Sequence, residues 1–152
     1  MAYLVKPELS ELNYRRKLHE SALTMSDLRG AEAFPKEEWS TFYNRYIEAD
    51  PKEFLYRYIF CPSCNDFVGE VQWKYDAEKQ RYEIQIIVEH SLRLEEYGRK
   101  GIALLEKEAK EYGIDALYAC TDRKNPAVGF FEHLGKKKAE EDQDTVTFLL
   151  SI

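Results

Sequence analysis

The sequence predicts an α/β fold built on one mixed sheet, and three observations carry that prediction. Phe54–Phe60, Phe67–Tyr75 and Arg81–Glu89 are β-rich runs joined by short polar turns, as in an antiparallel meander. A helical run, Gly98–Tyr112, then separates the third strand from a short strand, Leu117–Cys120. A strand–helix–strand step of this kind makes a parallel crossover, so the sheet is mixed. No internal repeat, low-complexity tract or Gly/Ser linker divides the chain, so residues 1–152 are expected to form a single domain. The expected order is β-α-α-β-β-β-α-β-α-β-β.

Each element has a local reason. Tyr3–Lys6 is a short strand candidate, and Pro7 sits where a helix can begin. Leu9, Leu12, Arg16 and Leu23 follow a rough helical period, which Gly30 and Pro35 interrupt downstream. Pro35 with Glu37 and Glu38 opens a second helix, along which Trp39, Phe42, Tyr43 and Tyr46 recur at spacings of three and four until Asp50-Pro51. In Arg81–Glu89, Tyr82, Ile84, Ile86 and Val88 share one face. Ile102, Leu105, Ala109 and Tyr112 line one side of the next helix, and Gly113 caps it. Asn125-Pro126 opens Ala127–His133, which Gly135 ends. The charged segment Lys136–Asp144 begins with a short edge strand, and Thr145–Leu150 alternates as the last one.

Composition narrows the function classes. The chain carries 22 Lys+Arg and 28 Asp+Glu, a net charge of −6, which disfavours a nucleic-acid partner. No stretch free of Asp, Glu, Lys and Arg is much longer than Tyr58–Asn65, so no membrane span is expected. Three cysteines, without a leader pattern at Met1–Lys6, read as reduced and cytoplasmic. Cys61 and Cys64 form one Cys-x-x-Cys, short of the four ligands a structural zinc needs, so no metal is expected. They lie between two strands rather than at a strand-to-helix turn, so a hairpin loop is expected there and a redox role is not.

The chemistry points to the junction Val88–Gly101, where a strand ends, a loop follows and a helix begins near a glycine. Backbone N–H groups at a helix start are unpaired and electropositive, which suits a phosphate or pyrophosphate. Arg93, Arg99 and Lys100 add positive charge. From Phe67 onward the chain resembles the GNAT family of acetyl-CoA-dependent N-acetyltransferases. The resemblance is carried by Ile86-Ile87-Val88, the loop from Arg93, the helix Gly98–Tyr112 and the segment Asn125-Pro126-Ala127-Val128-Gly129-Phe130-Phe131-Glu132-His133-Leu134-Gly135. That last segment keeps the family's Asn, aromatic pair and Glu-x-Leu-Gly in order.

The family's phosphate-loop pattern fits in two frames. The preferred frame is Arg93–Gly98, which puts Glu96 where the family has glycine and Leu94 where a further glycine is usual. The other is Gly98–Ala103, which lacks the leading arginine. The resemblance implies the family fold, with acetyl-CoA as co-substrate held along Val88, Arg93, Glu95, Tyr97, Gly98 and Arg99. Asn125 and Phe131 complete the implied contacts. Phe131 occupies the position of a tyrosine that often protonates the leaving thiolate, and phenylalanine cannot donate that proton.

The implied reaction is direct attack of a primary amine on the thioester. The acceptor is a small-molecule amine or a protein amine, and a homodimer is common in the family. A general base is needed to hold the amine neutral; Glu83 is the first candidate, on the strand lining the cleft, and Glu70 the second. Glu96, Leu94 and Phe131 support an alternative, a catalytically inactive binding module of the same fold with weakened CoA binding. A carboxylate beside an anionic ligand works against binding.

Overall fold

The computed structural model describes residues 1–152, apart from the side chain of Leu94. Seven strands form one sheet in the order β1-β2-β3-β4-β5-β7-β6. The strands are β1 (Tyr3–Val5), β2 (Phe54–Cys61), β3 (Asp66–Asp76), β4 (Arg81–Val88), β5 (Ala116–Asp122), β6 (Lys137–Glu141) and β7 (Thr145–Ser151). The helices are α1 (Leu12–Glu20), α2 (Ala22–Met25), α3 (Trp39–Phe42), α4 (Tyr97–Glu111) and α5 (Ala127–His133). All neighbours pair antiparallel except β4 and β5, so the meander and the crossover form the expected mixed sheet.

The sheet alternates its side chains between two cores, because successive residues of a strand point to opposite faces. Leu55, Ile59 and Cys61 of β2 and Val71 and Trp73 of β3 pack on one face with Ile102, Leu105 and Ala109 of α4. Tyr56 and Tyr58 point the other way, into Leu12, Tyr14 and Leu18 of α1. Fully buried side chains such as Leu105 and Ile102 each contribute roughly 1.5–3 kcal/mol through lost apolar exposure.

Two glycines permit close approaches. A Cβ at Gly101 would stand 2.8 Å from the terminal carbons of Ile59 and Ile86, so glycine lets α4 lie against the sheet. A Cβ at Gly69 would stand 2.4 Å from the carbonyl oxygen of Ile87, so only glycine fits where β3 pairs with the end of β4.

The N-terminal helices depart from the sequence pattern. A 3-10 turn, Leu9–Glu11, precedes α1 in place of a helix from Pro7. The helix then breaks at Ser21, whose backbone is extended and whose hydroxyl caps α2 by accepting from Thr24 N–H at 3.2 Å. The second helix is also composite: a 3-10 turn at Lys36–Glu38 leads into α3, and a π-helical turn, Tyr43–Ile47, continues it. These short pieces pack Leu12, Tyr14, Leu18, Phe34 and Ile47 against Tyr56 and Tyr58 of β2. At the far edge, β6 is exposed throughout, and its charged residues oppose pairing with another strand.

Candidate active site

β4 and β5 pair only at Tyr82↔Leu117 and Glu83↔Tyr118. Past that point they part, and a cleft of about 570 Å³ opens beside the C-terminal half of β4. Ile86–Val88 form one wall and Pro126, Ala127 and Phe130 another. Gly98 and Arg99, in the first turn of α4, form its head. A Cβ at Gly98 would lie 3.3 Å from the Phe130 ring, so glycine there lets α4 and α5 meet over the cleft.

The helix start is bare. No side chain caps α4, and the first intrahelical bond is Lys100 N–H to the Glu96 carbonyl at 3.1 Å. The amides of Tyr97, Gly98 and Arg99 therefore lack carbonyl partners one turn back, which leaves the positive end of the helix dipole at the cleft. The left-handed backbone falls at Glu96, with φ +65°. That is the position the preferred loop frame gives to glycine. In the other frame the loop residues Gly98 and Gly101 lie inside α4. The Glu96 carboxylate is two-thirds exposed, lies 3.7 Å from Arg99 and stands at the rim of the cleft.

The other implied cofactor residues divide into distinct roles. Arg93 ties three segments together. Its guanidinium donates to the Val88 carbonyl at 3.3 Å and to the Thr24 carbonyl, and it pairs with Asp27 at 3.3 Å. Its charge thus anchors the loop to the end of β4 and the end of α2. Glu95 is exposed in the 3-10 turn His90–Glu95. The side chain of Leu94, in the same turn, lies outside the described residues. Tyr97 is buried and directs its hydroxyl toward Cys61 and Cys64. Asn125 accepts from Ala127 N–H at 2.8 Å, helping to cap α5, and donates to the Asp27 carbonyl at 2.8 Å. Phe131 lies in the core, stacked on Phe148, while its neighbour Phe130 faces the cleft.

A second cavity, of about 630 Å³, lies on the sheet face covered by α1 and α3. Gln72 and Lys74 of β3 and Gln85 of β4 form its floor. β4 is therefore shared: Gln85 faces this pocket, and Ile86–Val88 face the cleft. The segment after α2 is shared too, with Asp27 and Leu28 on the cleft and Arg29 and Glu32–Phe34 on the pocket.

His19 of α1 also lines the pocket. Its Nε2 is 2.9 Å from Glu70 Oε1, with both side chains about 2% exposed. The Tyr56 hydroxyl donates to the same carboxylate oxygen. Burial by itself would raise the Glu70 carboxyl. The hydrogen bond and charge of His19, the Arg15 charge and the Tyr56 hydroxyl together hold it below its ordinary value. An ionised carboxylate only accepts, so His19 Nε2 holds a proton toward Glu70, and Nδ1 is the acceptor whenever the ring is neutral. Nδ1 is buried without a hydrogen-bond partner among the described residues. One turn earlier, the Arg15 guanidinium lies 4.3 Å from the Phe34 ring centre and 4.1 Å from that of Phe42, with its Nε likewise unpartnered.

The two carboxylates expected to serve as base thus sit differently. Glu70 is buried and reaches the pocket only through His19, and it pairs with Ile87 in the β3–β4 register. Glu83 lies further along β4, outside the lining of the pocket. Arg81 holds it at 2.9 Å, and Lys79 approaches to 3.7 Å. His19 was not among the residues singled out from sequence. Its helix was read through its leucines, and nothing local to residue 19 announces a partner on β3.

Residues 18–136 match the acetyltransferase (GNAT) family, which covers most of the chain, and the protein belongs to that family. Solved structures agree on the fold. A domain from Methanocaldococcus jannaschii superposes with a TM-score of 0.78 at 18% identity, over 100% of this chain and 99% of that one. The spermidine N-acetyltransferase of Vibrio cholerae, in complex with CoA and spermine, gives a TM-score of 0.78 at 18% identity, over 99% and 95%. The PaiA N-acetyltransferase of Thermoplasma acidophilum, in complex with coenzyme A, gives 0.72 at 14% identity, over 100% and 99%. At such identities the likeness is one of fold. No curated protein sequence matches the chain. Among the described residues, no group of three or more His, Cys, Asp or Glu is placed to hold a metal, and no helix is long and apolar enough to cross a membrane.

Proposed function

We propose that the protein transfers an acetyl group from acetyl-CoA to a primary amine, with the cleft taking the donor and the pocket under α1 and α3 taking the acceptor. The observation that carries this reading is the shared strand. β4 contributes Gln85 to one cavity and Ile86–Val88 to the other, so two ligands can meet across a single strand end.

The bare amides of Tyr97, Gly98 and Arg99 suit the pyrophosphate, with Arg99 adding charge. The splay past Glu83 leaves the outer edge of β4 at Ile86 and Ile87 without a β5 partner, where its backbone can bond the donor's amide-rich arm. Asn125 and Arg93 hold the cleft's shape. The amine nitrogen attacks the thioester carbonyl, a C–N bond forms, and the C–S bond breaks to release the CoA thiolate. His19 Nδ1 takes the amine proton directly or through a water, and Glu70 orients the ring and stabilises the imidazolium. No hydroxyl stands at Phe131 to protonate the thiolate, which leaves without help because a thiol ionises near neutral pH. The acceptor is a small-molecule amine or a protein amine.

A second reading, a non-catalytic module of the same fold, rests on Glu96 in the loop. Its carboxylate lines the cleft, but Arg99 pairs with it at 3.7 Å and offsets part of its charge, which favours the first reading. Calorimetry with acetyl-CoA and CoA separates the two. Saturable heat at micromolar ligand is expected, and silence at millimolar ligand with folded protein would overturn the enzyme reading.

A further inference from the structure

The β2–β3 hairpin places two thiols in contact. Cys61 Sγ and Cys64 Sγ are 3.0 Å apart and both are free. The Tyr97 hydroxyl touches both, at 3.0 Å and 3.2 Å, and the Ser63 hydroxyl lies 3.1 Å from Cys61. Cys61 is buried and Cys64 is exposed. Acetyl transfer uses none of these groups. The hairpin is the one expected from sequence. What the sequence did not show is that its turn lands on the first residue of α4.

We propose that Cys61 and Cys64 form a redox-active dithiol that reacts with small-molecule disulfides, and that its state is read at the start of α4 through Tyr97. The arrangement divides the two roles of such a pair. Exposed Cys64 meets the reagent. Its thiolate attacks a disulfide RSSR, the R–S–S–R bond breaks, and a mixed disulfide forms with release of one thiolate RS⁻. Cys61 then attacks Cys64 Sγ and expels the second RS⁻, closing the Cys61–Cys64 disulfide. Two electrons pass from the protein to the reagent, and the two protein thiol protons leave on the two RSH. The hydroxyls of Ser63 and Tyr97 and the Cys64 thiol favour the Cys61 thiolate, lowering its pKa to about 6, so the ring-closing nucleophile is ionised at neutral pH. The needed approach, from 3.0 Å to a bond of about 2.05 Å, is within a side-chain rotation.

Closure removes the thiols that face the Tyr97 hydroxyl. That hydroxyl belongs to a buried side chain at the first position of α4, and loss of its partners loosens the turn. The dithiol reading stands apart from the acetyl-transfer reading, and so does its test.

The full-length protein is incubated with oxidised glutathione and followed by intact mass spectrometry. The expected product at these two cysteines has lost two hydrogens and carries no adduct. In Cys61→Ser, the reaction is expected to stop as a glutathione adduct on Cys64. In Tyr97→Phe, closure is expected to slow several-fold near pH 6. Parent protein that keeps both thiols, or collects only adducts, would overturn the dithiol. Hydrogen exchange at Tyr97–Gly101 is then compared between the two forms, with β6 as the control region. Faster exchange at α4 in the disulfide form is expected; identical exchange overturns the coupling.

Discussion

His19 and Glu70 meet across 51 residues of sequence through a 2.9 Å hydrogen bond, both side chains almost wholly out of water. The pair leaves one imidazole nitrogen, Nδ1, buried without a partner among the described residues, on a histidine that lines the pocket under α1 and α3. A buried lone pair without a donor is costly to keep, and a ligand or water supplies one.

His19→Asn is expected to lower kcat on the order of 100-fold, the lower range for loss of a general base. Binding of acetyl-CoA is expected to stay unchanged, because His19 does not line the cleft. Steady-state kinetics and calorimetry on the same folded sample check both halves. Unchanged kcat would remove His19 from the reaction.

Glu70 makes stability depend on acid. Its carboxyl is held below the ordinary value of 4.5, so the folded state favours the ionised form. That contribution is complete above the unfolded value and is lost as pH falls through the lower, folded one. Glu70→Gln is expected to cost about 1–3 kcal/mol at neutral pH by weakening the buried hydrogen bonds that His19 Nε2 and the Tyr56 hydroxyl donate to the carboxylate. The gap between parent and variant is expected to narrow as pH falls below the ordinary carboxylate range. Urea midpoints measured across that range test it, and a gap that widens in acid would contradict it.

Glu96 couples two effects that two substitutions separate. Its backbone is left-handed, φ +65°, where a side chain costs about 1 kcal/mol relative to glycine. Glu96→Gly is expected to raise the thermal midpoint and tighten CoA binding a few-fold. Glu96→Ala removes the charge but keeps the backbone cost, so it is expected to tighten CoA without the thermal gain. Equal thermal midpoints for the two variants would refute the backbone account.

Gly69→Ala tests the join between β3 and β4. The added carbon would meet the Ile87 carbonyl oxygen at 2.4 Å, and backbone cannot step aside as a side chain can. A loss of about 3 kcal/mol is expected, at the upper end for overpacking. Gly129→Ala, where the added carbon meets nothing within 4 Å, is the matched control and is expected to be near neutral or stabilising. Chemical denaturation of the pair decides the matter.

Most of the element order was legible because it is written locally. The alternation in Arg81–Glu89 and the three-and-four spacing of Ile102, Leu105 and Ala109 repeat side-chain directions over one strand or one helix. The N-terminal helices were less legible. The break at Ser21 carries a local cap signal that the leucine period hides, and the π-helical turn from Tyr43 leaves no distinct spacing to read. The cleft was partly legible, since Asn125–Gly135 and Gly98 carry a recognisable pattern. The burial of Phe131 and the cleft-facing side of Phe130 depend on how α5 is rotated against β7.

The sequence by itself determined the strand–helix order, the mixed sheet, the family and the glutamate at a glycine position, all of which rest on neighbours within a few residues. Only the tertiary structure decided that Glu70 meets His19, that Arg93 serves as a tie, that Glu83 is held by Arg81 outside the pocket lining, and that the Cys61–Cys64 turn lands on Tyr97. The reason is physical. A helix or strand is specified by a period that any short window contains. A contact between distant residues depends on the packing of whole elements, and it leaves no period in the chain to be read.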